Sequence, residues 1–170
     1  MEELFTARLE TPIGPLEAVS DGGSILAVSF AGGTGRARRR GAGREAGTQV
    51  VSRPPVLEAC LRQLEAYFRG ERRSFDVPLR LEGTPFQRRV WQALLRVPFG
   101  RTTTYGELAA ALGNPRAGRA VGGANHRNPV SIIVPCHRVV GGDGGLVGYG
   151  GGLWRKEWLL RHERDRSSPD

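Results

Sequence analysis

Pro135-Cys136-His137-Arg138 places a thiol, an imidazole and a guanidinium in consecutive positions, at the end of an apolar β-branched run, Ile132-Ile133-Val134. Cysteine reacts as the thiolate, and a nearby His or Arg raises the thiolate population. A free thiol is only a few per cent ionised near neutral pH, so a base beside it has a defined task. The residue types therefore point to nucleophilic chemistry at Cys136 with His137 as base. Free cysteine is also among the most buried residue types, and the competing reading is a core thiol; an inert thiol needs neither the histidine nor the arginine. Ser131 to Val134 has the composition of a buried strand, and Pro135, lacking a donor, ends it. Side chains of adjacent strand residues face opposite ways. For Cys136 and His137 to cooperate, the backbone must turn at Pro135 or a water must bridge them.

The elements that position this cluster lie on both sides of it. Upstream, Thr84-Pro85-Phe86-Gln87 predicts a capping box with proline at the first helical position. Val90, Trp91, Leu94 and Leu95 form the buried stripe, and Pro98-Phe99-Gly100 ends the helix. Thr104-Tyr105-Gly106-Glu107 predicts a second capping box, with Gly113 stopping its short helix. Asn114-Pro115 is expected to cap a third helix over 116–124, and the two short helices together predict a helix-turn-helix. In the third helix Ala117, Ala120, Val121 and Ala124 share one side, while Gly118, Arg119, Gly122 and Gly123 share the other. Glycine costs about 1 kcal/mol in a helix relative to alanine, so three on one face require a reason. Close approach of another surface, DNA, is one; packing of a second helix is the other. Downstream, Gly141 to Gly145 predicts a turn, Leu146 to Gly152 a second glycine-rich segment, and Leu153 to Glu163 a helix followed by a tail over 164–170.

The 170-residue chain carries 25 Lys and Arg against 17 Asp and Glu, a net charge of +8. That balance favours a polyanionic partner, nucleic acid before a membrane surface. Two cysteines, Cys60 and Cys136, give neither a disulfide framework nor zinc spacing. A reactive thiol fits a reducing compartment. Met1-Glu2-Glu3-Leu4 lacks the basic and apolar regions of a signal peptide, and no apolar run reaches membrane-spanning length; a cytoplasmic protein is expected. Short strands at 4–10, 16–19 and 25–30, punctuated by Pro12, Gly14, Pro15 and Asp21-Gly22-Gly23, predict an antiparallel sheet. Residues 31–53 collapse into Gly and Arg and read as a loop. Pro54-Pro55 then opens a helix whose face carries Val56, Leu57, Cys60, Leu61, Leu64, Tyr67 and Phe68. The fold class is α+β. An N-terminal domain over 1–82 holds the small sheet and a helix, and a C-terminal helical domain over 83–163 holds the helix-turn-helix and the cysteine.

Pro135-Cys136-His137-Arg138-Val139, with the helix-turn-helix before it and Gly148-Tyr149-Gly150-Gly151-Gly152-Leu153 and Lys156-Glu157-Trp158-Leu159-Leu160 after it, resembles the O6-alkylguanine-DNA alkyltransferases. The resemblance is strongest from Thr84 to Glu163. It implies direct reversal of DNA damage: the nucleotide is flipped out through the minor groove and the alkyl group on O6 of guanine, or O4 of thymine, passes irreversibly to Cys136. His137 would act as base through a water, Glu163 would orient it, and Asn128 would brace the cysteine segment. Tyr105 would help turn the nucleotide out, and Arg119 would fill the gap in the stack. The bare face at Gly118 and Gly122 would lie on the DNA, while Val139, Tyr149 and Gly150 would line the base pocket. The resemblance implies a monomer acting on double-stranded DNA, with no cofactor and, Cys60 lying on a core face, no metal. Two other readings compete: a non-catalytic helix-turn-helix DNA-binding protein, and a cysteine hydrolase or acyltransferase.

Overall fold

The computed structural model describes residues 3–31 and 53–167, so the Gly/Arg-rich stretch lies, apart from its two ends, outside the described residues. The chain divides into two compact units, Met1–Glu82 and Gly83–Asp170.

In the first unit β1 (Phe5–Leu9), β2 (Leu16–Ser20) and β3 (Ile25–Phe30) form an antiparallel meander in that order. The turn into β3 is built by short polar side chains. Asp21 Oδ1 accepts the backbone N–H groups of Gly23 at 2.9 Å and Ser24 at 2.8 Å, and Gly22 takes the left-handed φ of 100° that the reversal requires. α1 (Pro55–Phe68) packs on this sheet through Leu57, Cys60, Leu61, Leu64 and Tyr67, all buried. Burial pushes the Cys60 thiol up to about 12, so this cysteine is a core side chain without nucleophilic character. After α1 the chain returns along the sheet edge, with Ile25 donating to the Pro78 carbonyl at 2.8 Å and accepting from Arg80 at 3.0 Å.

The second unit is mostly helical: α2 (Pro85–Leu94), β4 (Thr103–Thr104), α3 (Tyr105–Ala111), α4 (Gly118–His126), a 3₁₀ turn (Cys136–Arg138), β5 (Val139–Val140) and α5 (Leu153–Arg166). α2 opens on the full capping box: the Thr84 hydroxyl accepts from Gln87 N at 3.1 Å and Gln87 Oε1 accepts from Thr84 N at 3.0 Å. Val90, Trp91 and Leu94 are buried, but Leu95 is 39 % exposed because the helix ends there, at its C-cap, before Pro98 is reached. α3 carries half a capping box. Thr104 accepts from Glu107 N at 3.1 Å, whereas the Glu107 carboxylate accepts from the Thr103 hydroxyl at 3.0 Å instead of returning to the cap.

α2, α3 and α4 pack on one another, and the Trp91 indole N–H donates to the Ala124 carbonyl at 2.8 Å. α4 begins and ends two residues later than its composition predicts. Asn114 spends its groups on a turn, its side-chain oxygen accepting from Arg116 N at 3.3 Å and its carbonyl from Ala117 N at 3.0 Å, so it caps no helix. The buried face of α4 is Val121, Ala124 and Asn125, and Ala120, expected on it, is exposed. α5 runs on through Arg166, past the expected start of the tail, and closes with Ser167 N donating to the Glu163 carbonyl at 2.9 Å.

Candidate active site

Ser131 to Val134 is not a strand. Ile133 N bonds back to the Ser131 carbonyl at 2.8 Å across Ile132, whose φ is +73°, and Cys136 N bonds back to the Val134 carbonyl at 2.8 Å across Pro135. These are two successive three-residue turns. A β-branched residue at positive φ costs of order 1–3 kcal/mol and persists only where its surroundings impose it. Asn128 is what imposes it here. Its Oδ1 accepts from Val130 N at 3.0 Å and its Nδ2 donates to the Val134 carbonyl at 2.7 Å, clamping both ends of the turn. Strand propensity loses to this bracket, and the backbone turns where Pro135 stands.

The turn delivers Cys136, His137 and Arg138 into a 3₁₀ helix, all three buried. Cys136 is 6 % exposed. His137 Nε2 lies 2.7 Å from Glu163 Oε2, and its Nδ1 is buried with no protein partner. That nitrogen is the group a bridging water would meet on the way to the thiol. Arg138 does not face the thiol, contrary to expectation. Its Nε and Nη2 donate to Glu163 Oε1 and Oε2 at 2.8 and 3.0 Å, and its Nη1 donates to the Val97 carbonyl at 2.6 Å.

The cation that acts on the thiol is Lys156, which sequence reasoning assigned no role. It is fully buried, and its Nζ donates to the Val147 carbonyl at 2.8 Å. Burial pushes Lys156 down to about 8, opposed by the charge of Cys136, so it remains mostly protonated at neutral pH. The available signal was its spacing: Lys156 and Glu163 are seven residues apart, two turns, and so share one face of α5.

Burial raises the Cys136 pKa, and Asn128 and Lys156 only partly offset it. The resting group is thus a thiol, not the populated thiolate that the neighbouring His and Arg predict, and it needs a base when it reacts. Burial lowers His137, joined by Arg138 and Lys156 and opposed by Glu163, so the imidazole rests neutral. Burial alone would raise Glu163; His137 and Arg138 outweigh it and hold the carboxyl well below the usual carboxylate range.

The other candidate residues fall into two groups. Tyr105, the first residue of α3, is half-buried, its hydroxyl raised by burial, lowered by Asn125 and raised again by charge at Cys136. β4 and β5 pair in parallel, Thr103 with Val139 and Thr104 with Val140, which ties the Tyr105 segment to the cysteine segment and buries Val139. Tyr149 reaches the same place: burial raises its hydroxyl well above 10, charge at Cys136 adds to that, and Ser131 opposes it. Gly150 is exposed, and a Cβ there would meet nothing within 4 Å. Arg119 stands apart, exposed on the outer face of α4. Gly122 is covered by the Tyr105 ring, 3.8 Å from where its Cβ would lie, but a Cβ at Gly118 or Gly123 would meet nothing within 4 Å. No helix of this chain packs on those two glycines among the described residues.

Two supporting groups were also missed. Asn125, on the buried face of α4, donates to the Cys136 carbonyl at 3.4 Å. Gly100 N approaches Glu163 Oε1 at 3.4 Å, and its φ of +80° and a Cβ position 2.6 Å from Ser167 Cβ demand glycine. Among the described residues no three His, Cys, Asp or Glu side chains gather as a metal site would require, and no helix is long and apolar enough to cross a membrane.

Two family models cover most of the chain. That for the 6-O-methylguanine DNA methyltransferase, DNA binding domain, matches residues 85–165, and that for the ribonuclease-like domain of the same family matches 4–81. The chain is 48 % identical to a methylated-DNA–protein-cysteine methyltransferase of Methanosarcina acetivorans, over 94 % of this chain and 98 % of that protein. It is 45 % identical to the protein of that name from Mycobacterium bovis, over 95 % and 93 %. Among solved structures, an O6-methylguanine methyltransferase of Mycobacterium tuberculosis superposes with a TM-score of 0.85 at 43 % identity, covering 99 % of this chain and 97 % of that one. The M. tuberculosis OGT in complex with DNA superposes at 0.82 with 44 % identity, covering 96 % and 95 %.

Proposed function

The chain belongs to the 6-O-methylguanine DNA methyltransferase family, binds DNA and repairs it by alkyl transfer, and from that premise we propose that Cys136 is the acceptor of the alkyl group from O6 of guanine in duplex DNA. The observation that carries the reading is the burial of Cys136 and His137 on one 3₁₀ turn, with His137 bonded to the Glu163 carboxylate at 2.7 Å. His137 takes the thiol proton. The sulfur then forms its bond to the alkyl carbon while the carbon–O6 bond breaks, its electron pair passing to the guanine. The guanine then takes up a proton and His137 gives up the one it received, which completes the balance, and Tyr105 is the hydroxyl that assists the leaving guanine. Lys156 steadies the transient negative sulfur.

A base stacked in a duplex cannot reach a thiol that is 6 % exposed, so the nucleotide must be extruded, at a cost of a few kcal/mol. α4 supplies the surface for this: Gly118 and Gly123 admit close backbone approach, and Arg119 stands where an inserted side chain replaces lost stacking. Val139, Tyr149 and Gly150 form the wall against the flipped base. A thioether has no ready leaving path, so each chain acts once. The protein works as a monomer in the reducing cytoplasm, where its thiol stays free. A non-catalytic DNA-binding role would leave the His137–Glu163–Arg138 assembly idle.

The direct test is intact mass after incubation with duplex DNA containing O6-methylguanine, followed by peptide mapping. A gain of one methyl group on Cys136, saturating at one per chain, is the expected result; unchanged mass in folded, reduced protein rejects it. Arg119→Ala tests the flipping surface separately. It should slow repair in duplex by at least about tenfold, the ~1.4 kcal/mol of a lost stacking surrogate, and leave reaction with a free alkylated base near normal. Equal losses on both substrates would remove Arg119 from that role.

A further inference from the structure

A carboxylate 2.7 Å from a buried imidazole draws it toward the imidazolium form, and an imidazolium cannot take a proton from a thiol. Arg138 changes that outcome. Its fork covers both oxygens of Glu163, at 2.8 and 3.0 Å, and the guanidinium is held from behind by the Val97 carbonyl at 2.6 Å with the Phe99 ring centroid 5.9 Å away. Glu163 Oε2 is thereby shared between arginine and histidine, and Oε1 is shared with Gly100 N. We propose that Arg138 is a positioning residue that reserves the Glu163 carboxylate for itself, so that His137 waits as a neutral imidazole able to accept the Cys136 proton. The proposal rests on the reading of Cys136 as acceptor and His137 as base.

The charges that face His137 make the case. Lys156 and Glu163 approach from α5, and Cys136 and Arg138 flank it on its own turn. With thiol and imidazole neutral, two cations oppose one carboxylate, and the site carries +1. A proton arriving from bulk water would raise that to +2 among side chains that exclude solvent, which is costly. A proton arriving from Cys136 leaves the total at +1, because the sulfur becomes negative as the imidazole becomes positive. The arrangement thus admits the internal proton and resists the external one. Without Arg138 the resting charge falls to zero, protonation from bulk becomes easy, and the base is occupied before the thiol can use it. Burial, Arg138 and Lys156 acting together against Glu163 all have the sign this requires.

The test is the pH dependence of single-turnover methyl transfer from O6-methylguanine duplex DNA, for the full chain and two variants. Arg138→Gln removes the charge; Arg138→Lys keeps the charge but cannot reproduce the two-point fork. For Arg138→Gln the acid-side fall in rate should move to higher pH by about one unit or more. Arg138→Lys should keep the wild-type acid limb at a lower plateau. An unmoved limb in Arg138→Gln, or identical limbs in the two variants, would overturn the proposal and make Arg138 a strut. Should the variants fail to fold, imidazole nitrogen shifts of His137 in the wild-type protein decide: neutral at pH 7 supports the proposal, imidazolium at pH 7 refutes it. Methylation of Cys136 in the same wild-type samples shows whether the acceptor assignment stands independently of either result.

Discussion

Cys136→Ala should abolish methyl transfer altogether while leaving duplex binding within a few-fold of wild type. The loss is complete rather than partial because the product is a bond to the missing sulfur, and no second group replaces it. His137 is buried behind its carboxylate, Lys156 is bonded to the Val147 carbonyl, and Cys60 is sealed in α1 with its thiol pushed up to about 12. Binding should persist because the face proposed to meet DNA, with Arg119, Gly118 and Gly123, lies on α4 and contains no part of the thiol. Exchanging a buried thiol for a methyl leaves only a small void, and the clamp from Asn128 to Val134 is untouched. Intact mass and a gel-shift titration on one preparation measure both halves. Transfer to any other residue of the variant would reassign the acceptor, and loss of binding in step with transfer would mean that the substitution had disturbed the fold.

Glu163→Gln should have the largest effect on stability, about 3–5 kcal/mol, together with a severe loss of transfer. The carboxylate is 1 % exposed and answers Arg138 at two points and His137 at a third, so the neutral amide leaves a buried guanidinium uncompensated and turns donors toward donors. Urea unfolding with an unchanged m-value would report the stability term, and a difference below about 1 kcal/mol would show that the ion pair contributes little. The same carboxyl sets an acid limit in the wild type. Its pKa in the folded protein is depressed below the ordinary value of 4.5, so the unfolded chain binds the proton more readily. The stability it contributes is fully present above pH 4.5 and is lost as the pH falls below that toward its folded value.

What was legible in the sequence was local. The Thr84–Gln87 box, the α1 stripe from Leu57 to Tyr67 and the stop at Gly113 each depend on residues within a turn or two, and the chemistry of Pro-Cys-His-Arg is contiguous. Arg138 and Glu163 are 25 residues apart in sequence, and Lys156 lies 20 from Cys136; no periodicity links such pairs. Glu163 gained a role only through the family resemblance, and Lys156, though part of the motif that carries it, gained none, because a lysine on a helix is ordinarily solvated. The error over Ser131–Val134 has a different source. Three β-branched residues argue for extended chain, but Asn128 captures the two ends of the segment and folds it back, and a side chain at one position overrides the propensity of four. Asn114 shows the same thing on a smaller scale: its side chain closes a turn at Arg116, and α4 starts only at Gly118.

The pairing of Thr103–Thr104 with Val139–Val140 carries a consequence for how this protein can change. Tyr105 follows directly on one strand, and Cys136–Arg138 leads directly into the other. Tyr105 leaves one end of this parallel ladder and Cys136–Arg138 enter at the other, so their relative placement is fixed by the paired strands and not by the length of chain that runs between them. Everything from Tyr105 to Arg138, α3 and α4 included, departs from and returns to a two-rung ladder. Residues in the Gly113–Pro115 turn can be added, removed or exchanged without moving the anchor points of the reaction. Recognition and chemistry are in this sense separately editable: one lies along the excursion, the other at its closure.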